Sequence, residues 1–325
     1  MEKLPEPPAV FLAGPTAAGK SAIALELAER IGGGIISVDS MQVYRGLDIG
    51  TGKPSPAQQK RVPHHLIDVA GLDESFDAAR FVALAGAAVA ALRAGGRVPI
   101  FCGGTGLYFK AFLEGLGAAP PADPKIRAEL EATPLETLLA ELERRDPAAF
   151  RKVDQRNPRR VIRALEVIRI TGQPFSGQRA DWQAARPAVP GLFIGLTRPP
   201  GELSERIRRR VDDMFAAGLV AETEALLGRG LADNPTAMQA LGYRQVVQHL
   251  RGERPLAETI ELVKIRTRQY AKRQLTWFRR QMKLAWIMPE NQSPADIATR
   301  ILSAVPSFIT HPGNTPANGR IRTQS

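Results

Sequence analysis

The sequence predicts an α/β protein in which a parallel sheet is interrupted by a helical insertion, and three observations carry that prediction. Short, continuous apolar runs at 10–13, 35–38 and 98–102 alternate with helix-forming stretches, the pattern of strands buried on both faces of a parallel sheet. An octapeptide with glycines at both ends of its spacing joins the first run to the first helix. Strand-like runs then vanish from about 119 to 188, and a new one resumes at Leu192–Leu196. A length of 325 residues agrees with about two units of structure.

The octapeptide is Gly14-Pro15-Thr16-Ala17-Ala18-Gly19-Lys20-Ser21, and it satisfies G-x-x-x-x-G-K-[ST] between a strand and a helix, as a phosphate-cradling loop requires. Gly14 and Gly19 let successive amides turn inward, and the helix starting near Gly19 adds its positive end. Lys20 supplies a mobile charge, and in such a loop Ser21 would face a Mg²⁺. All eight residues are therefore candidate diphosphate ligands on a P-loop NTPase-like core. A glycine-rich turn that binds nothing is the plainer alternative, and agreement at all four fixed positions and both flanks weighs against it. The loop by itself does not say which diphosphate it holds.

In doubly wound sheets ligands bind at the carboxyl ends of the strands. Asp39 and Ser40 follow the second run, and Gly103, Gly104, Thr105 and Gly106 follow the third. Asp39 is suited to hold Mg²⁺, to take a proton from an attacking group, or merely to cap a turn. Thr105 offers a hydroxyl and nearby amides to a leaving anion, or closes a plain tight turn. Between these strands, Ser75 or Asp77 caps a helix through Phe81, Leu84, Ala88 and Leu92 that stops at Gly95 and Gly96. Leu66–Val69 reads as a further short strand, and His64 and His65 as surface or loop residues.

Near Pro120, Pro121 and Pro124 the pattern turns wholly helical as far as about Arg169, with a Gly/Pro/Gln/Ser-rich piece at 171–178 and Pro187 and Pro190 closing the segment. The expected division is a core over 1–118, a helical insertion over 119–188, the rest of the core over 189–305 and a disordered tail over 306–325. Helices are expected over Glu202–Ala217, Val220–Leu227 and Glu258 to about Lys283. The last carries an apolar stripe of Ala271, Leu275, Phe278, Met282 and Ala285. Trp286–Met288 reads as an edge strand.

A formal charge of +11 suits a polyanionic partner once the charges are located. Lys264, Arg266, Arg268, Lys272, Arg273, Arg279, Arg280 and Lys283 lie in a window with no acidic residue, interleaved with Tyr270, Trp277 and Phe278. A second cluster, Arg151, Lys152, Arg156, Arg159, Arg160, Arg163 and Arg169, is opposed only by Asp154 and Glu166 within its own span. Two basic helices read as two jaws for a nucleic acid backbone; solvated helix faces are the bland alternative. In Arg206, Arg208, Arg209 and Arg210, helical spacing puts 206 and 210 on one face, with Arg209 beside Asp212 and Asp213. One of these arginines can reach a phosphate.

Several function classes drop out. Cys102 is the only cysteine, so an intramolecular disulfide and a cysteine-cluster zinc site are excluded. A reducing cytosol is the expected compartment, since the first eight residues lack the basic segment and apolar run of a signal peptide. The apolar stretch Phe81–Leu92 is too short to span a bilayer. The guanine-selecting Asn-Lys-x-Asp is absent.

With those residues in view, the chain resembles the tRNA dimethylallyltransferase (tRNA isopentenyltransferase) family of the bacterial type. The matching pieces, in order, are the octapeptide at 14, Ser-Val-Asp-Ser-Met-Gln-Val-Tyr-Arg at 37, Asp-Ile-Gly-Thr-Gly-Lys-Pro at 48 and Gly-Gly-Thr-Gly-Leu-Tyr at 103. Asn-Pro-Arg-Arg-Val-Ile-Arg-Ala-Leu-Glu at 157, Leu-Gly-Tyr-Arg-Gln at 241 and Lys-Arg-Gln-Leu-Thr-Trp-Phe-Arg at 272 complete the set. The resemblance implies transfer of a dimethylallyl group from dimethylallyl diphosphate, with Mg²⁺, to the exocyclic N6 amine of the adenosine 3′ of the anticodon in tRNAs reading U-starting codons. It implies Asp39 as general base and Thr105 and Arg210 on the diphosphate. It also implies tRNA contacts from Asp39, Ser40, Met41, Gln42, Thr105, Arg127, the segment Arg159, Arg160 to Arg163, and Gln239, Gly242, Tyr243 and Arg244. Lys272, Arg273 and Arg279 join them from the basic window, and a monomer is expected. Ser21 stands where many relatives have Thr, and the zinc-finger extension of eukaryotic relatives is missing.

The physics agrees. Departure of diphosphate from an allylic carbon leaves a delocalised cation, so the catalyst must chiefly stabilise the leaving anion. An adenine amine is a poor nucleophile, which gives a carboxylate base its use in the transition state. A small-molecule kinase using ATP explains the first hundred residues but leaves both basic regions unemployed, and a non-enzymatic RNA-binding ATPase gives Asp39 and Thr105 no task.

Overall fold

The computed structural model describes residues 9–178, 191–290 and 292–303. The strands are β1 (Ala9–Ala13), β2 (Gly33–Val38), β3 (His64–His65), β4 (Val98–Gly103), β5 (Gly191–Leu196) and β6 (Ala285–Ile287). They form one parallel sheet in the order β3-β2-β4-β1-β5-β6. In chain order the helices are α1 (Lys20–Ile31), α2 (Pro56–Arg61), α3 (Ala78–Ala94), α4 (Gly106–Glu114), α5 (Pro124–Glu131), α6 (Leu135–Arg145), α7 (Pro147–Lys152) and α8 (Pro158–Thr171). After β5 come α9 (Pro200–Ala216), α10 (Leu219–Leu227), α11 (Tyr243–Leu250), α12 (Leu256–Gln281) and α13 (Pro294–Ser303). The chain divides into two compact units, one of residues 1–109 with 189–325 and one of 110–188.

In the sheet unit β1, β2 and β4 are buried at every residue, which is why they read as unbroken apolar runs. Phe11 lies between Phe101 and Phe193 with ring centroids 4.7 and 4.6 Å away, a stack that fixes the central strands in register. That register pairs Ala13 and Val38 with Gly103, so the carboxyl ends of β1, β2 and β4 lie level. Asp77 caps α3 by accepting from the amide of Arg80 at 2.9 Å. The expected strand at 66–69 is absent: pairing stops after His65, because Leu66 and Asp68 turn to positive φ (62° and 56°), a conformation that no strand holds. His64 and His65 are thus strand residues and not loop.

The long α12 buries Thr259, Val263, Thr267, Ala271, Gln274 and Phe278, spaced three or four residues apart as a packed helix face demands. The expected stripe departs from this. Leu275 is only partly buried, Met282 leaves the helix in extended backbone, and Ala285 lies exposed in β6. The tail from 306 lies outside the described residues, as do Pro187 and Pro190.

The 110–188 unit packs α5 to α8 around Leu130, Leu138, Leu142, Val161, Leu165 and Ile168. Glu166 is fully buried there and takes Arg163 at 2.6 Å and Arg127 at 2.8 Å, while the amide of Asp123 donates to it at 3.2 Å. A buried carboxylate needs such partners, since an unpaired one is costly.

Candidate active site

The phosphate loop is shaped by close approach. Gly14 has φ +147°, and a Cβ there would stand 2.2 Å from the carbonyl oxygen of Leu196 in β5, so no side chain fits. Helix α1 opens directly behind the loop with Gly19 as its left-handed cap. Lys20 Nζ donates to the Pro15 carbonyl at 2.7 Å, bent back over the loop. Burial pulls its pKa down to about 8, Arg210 adds to the depression, and Cys102 and Asp39 oppose it. Cys102 is itself pushed up to about 11, chiefly by burial, so it stays a thiol. The Thr16 amide is directed sideways, donating to Oε1 of Gln274 at 2.9 Å.

Asp39 follows β2 in a tight side-chain turn, with Oδ1 accepting from the amides of Met41 (2.8 Å) and Gln42 (3.3 Å). The next amide, of Ser40, donates to Thr105 Oγ1 at 3.1 Å. The amides of Gly104 and Thr105 both return to the Val38 carbonyl, at 3.2 and 3.1 Å. The turns after β2 and β4 are therefore one hydrogen-bonded unit. Arg210 reaches this unit from α9, donating to the Thr51 carbonyl at 3.1 Å. Burial lowers its pKa and the Asp39 carboxylate raises it. Gln42 Nε2 donates to the carbonyls of Thr51 and Gly52, each at 3.3 Å, while its Oε1 accepts from the Ser37 hydroxyl at 2.8 Å. Gly52 has φ +59°, and a Cβ there would lie 2.3 Å from Arg210 Nη2.

The structure thus brings together the loop at 14–21, Asp39–Gln42, Thr105 and Arg210. The remaining sites expected from sequence fall differently. Ser21 is exposed in the first turn of α1. Gln239 and Arg244 are exposed, but Gly242 and Tyr243 are buried. Tyr243 donates its hydroxyl to Glu222 Oε1 at 2.5 Å and accepts from the Gly50 amide at 3.0 Å, and burial, with Glu222 beside it, raises its pKa. Its side chain supports the 48–53 loop. In the other unit Arg127 and Arg163 share Glu166, while Arg159 and Arg160 are exposed at the start of α8.

Lys272, Arg273 and Arg279 are exposed on α12. Arg273 stands 5.9 Å over the ring of Tyr270 and Arg279 5.8 Å over Trp286, cation–π distances that hold the guanidiniums in place. A groove of about 520 Å³ lies along this face between Lys272, Arg273, Trp277 and Arg280. Other members of the basic clusters are neutralised by carboxylates outside those clusters. Lys264 is buried between Asp212 and Glu261, each at 2.8 Å, and Arg169 pairs with Glu141 at 2.7 Å. Arg208 and Arg209 pair with Glu205 and not with Asp212 or Asp213. Gln274 and Glu222 are the site residues that sequence reasoning missed.

Residues 42–281 match the family model described as IPP transferase. The chain belongs to the tRNA dimethylallyltransferase family. It is 47% identical over 293 residues to tRNA dimethylallyltransferase 1 of Trichlorobacter lovleyi, covering 89% of this chain and 96% of that one. Among solved structures it resembles the full-length tRNA isopentenylpyrophosphate transferase of Bacillus halodurans (38% identity, TM-score 0.68, 93% and 96% of the two chains). It also resembles a eukaryotic dimethylallyltransferase acting on tRNA (27% identity, TM-score 0.77, 93% and 79%). Membership of the dimethylallyltransferases makes the chain an enzyme of the prenyltransferase class on a P-loop-type parallel sheet. No described helix is long and apolar enough to cross a membrane.

For a metal, no group of three His, Cys, Asp or Glu gathers among the described residues. The exposed Ser21 hydroxyl beside the loop fits Mg²⁺ nonetheless, since that ion keeps most of its waters and takes few protein ligands plus substrate phosphates.

Proposed function

We propose that this dimethylallyltransferase moves the dimethylallyl group of dimethylallyl diphosphate onto the exocyclic N6 amine of the adenosine 3′ of the anticodon, in tRNAs reading U-starting codons. The observation that carries the reading is the joining of Asp39 and Thr105 through the Ser40 amide, 3.1 Å from Thr105 Oγ1, at the level carboxyl ends of β1, β2 and β4, where the half-buried Lys20 and Arg210 both respond to the Asp39 charge. In the reaction the carbon–oxygen bond to the diphosphate breaks and a carbon–nitrogen bond forms. The amine proton passes to Asp39, and pyrophosphate leaves.

Lys20, Arg210, the Thr105 hydroxyl and the loop amides stabilise the charge that grows on the departing diphosphate, in a site already organised before the bond breaks. Ser21 is the chain's ligand for a Mg²⁺ that, when bound, neutralises part of that charge. Asp39 acts late: the amine becomes acidic only as it bonds to carbon, and a carboxylate held by the amides of Met41 and Gln42 is aimed to collect the proton. The target adenosine must leave its stack to reach Asp39, with the cost of unstacking met by contacts elsewhere. Ser40, Met41 and Gln42 face that nucleotide. Gln239, Arg244, Lys272, Arg273 and Arg279, with Arg127, Arg159, Arg160 and Arg163 of the insertion, hold the RNA backbone.

The test offers the protein tRNA with labelled dimethylallyl diphosphate, and in parallel ATP with candidate acceptors. Transfer of label to tRNA with release of pyrophosphate is expected. ATP turnover without prenyl transfer would overturn the reading.

A further inference from the structure

Gln274 lies in the middle of α12, only 7% exposed, in a helix whose other face is lined with exposed cations. Its Oε1 accepts from the Thr16 amide of the phosphate loop, and its Nε2 donates to the Gly104 carbonyl, both at 2.9 Å. One planar amide thus satisfies one donor and one acceptor belonging to two different loops, and only glutamine has both functions at this reach. The fit is tight: a Cβ on Gly104 would stand 2.2 Å from Nε2 of Gln274. One turn on, the Trp277 ring covers Gly106, where a Cβ would lie 2.1 Å from Cε3. Gly104 adjoins Thr105, whose hydroxyl receives the Ser40 amide. Continuous hydrogen bonding therefore runs from α12 through Gln274 to the phosphate loop, and through Gly104 and Thr105 to the turn bearing Asp39.

We infer that Gln274 is a positioning residue, setting the separation of the phosphate loop and the 103–106 turn from the same helix that carries Lys272 and Arg273. This rests on the reading of the loop as a diphosphate site. An apolar side chain at 274 strands the Thr16 N–H and the Gly104 C=O, and each loop then relaxes toward another partner. The cationic face of α12 is untouched by that change, so diphosphate and RNA binding respond differently to it.

The experiment measures binding of inorganic pyrophosphate with Mg²⁺, and of a tRNA transcript, to wild-type protein, Q274L, Q274E and Q274N. It then measures KM for dimethylallyl diphosphate and for tRNA separately. Q274L should weaken pyrophosphate about tenfold, equivalent to ~1.4 kcal/mol, and raise KM for the prenyl donor alike, with the tRNA constants within about twofold of wild type. Q274E keeps the size and the acceptor for Thr16 but turns a negative charge on the Gly104 carbonyl. Buried without a donor, that charge should cost stability as well as more pyrophosphate affinity than Q274L, so the uncharged, shorter amide of Q274N, with the same selective loss expected, decides the matter should either variant not fold. Unchanged pyrophosphate affinity in the variants that fold would overturn the inference, and so would equal losses for pyrophosphate and tRNA. Wild-type protein that ignores pyrophosphate would instead overturn the diphosphate reading beneath it.

Discussion

The amide of Ser40 donates to Oγ1 of Thr105 across 3.1 Å, joining the residue after the candidate base to the candidate leaving-group hydroxyl. Because the amides of Gly104 and Thr105 also return to the Val38 carbonyl, the two halves of the reaction are held by one small hydrogen-bonded unit. Catalysis that depends on pre-aimed groups gains from such rigidity, since small misplacements cost rate steeply.

Asp39→Asn separates the carboxylate's two tasks. The amide oxygen still accepts from Met41 and Gln42, so the turn is retained, but the base is gone. Turnover should fall roughly a hundredfold or more with tRNA affinity nearly unchanged, as read by single-turnover kinetics and filter binding. Turnover at the wild-type rate would remove Asp39 from the chemistry.

Lys20 predicts a pH dependence whose sign follows from burial. Its pKa is lowered to about 8 in the free protein, and a bound diphosphate stabilises the charged form and raises it again. Dimethylallyl diphosphate should therefore bind with net proton uptake just above pH 8, and its affinity should decline as pH rises further. Calorimetry in buffers of different ionisation enthalpy reads the uptake directly, and Lys20→Met should abolish it.

Gly52→Ala tests the support of Arg210. The left-handed backbone at 52 and the 2.3 Å approach of Nη2 leave the new methyl no space, so the guanidinium must move. A stability loss of about 1 kcal/mol should accompany a several-fold larger KM for the prenyl diphosphate, with the KM for tRNA unaffected. Equal kinetics for the two proteins would mean Arg210 is not set by this contact.

Removing charge at Arg279 and Arg280, both exposed on α12, should weaken tRNA binding and reduce its salt slope by about one or two. An unaltered slope would return this helix to an ordinary solvated face.

Much of the architecture was legible from sequence because buried parallel strands announce themselves as short apolar runs, and the loop at 14–21 is a pattern with fixed spacing. Asp39 and Thr105 could be singled out because each directly follows such a strand. What sequence could not reveal depends on partners far away in the chain. Gln274 looks like one more polar residue on a basic helix, and only the packing of α12 beneath two loops buries it. Lys264 sits in a window free of carboxylates, yet Asp212 of α9 neutralises it across a helix pair. Tyr243 is buried because Glu222 and Gly50, far away in the chain, claim its hydroxyl. The strand misplaced at 66–69 fails for a local reason, left-handed backbone at Leu66 and Asp68, of which only the aspartate gives a hint.

The most direct measurement is nucleoside mass spectrometry of a tRNA transcript after incubation with the protein, dimethylallyl diphosphate and Mg²⁺, with a second transcript lacking adenosine 3′ of the anticodon as control. The first transcript should yield N6-dimethylallyladenosine at that single position, and the control should yield none. Unmodified adenosine in the first transcript, or equal modification of the control, would contradict the assignment.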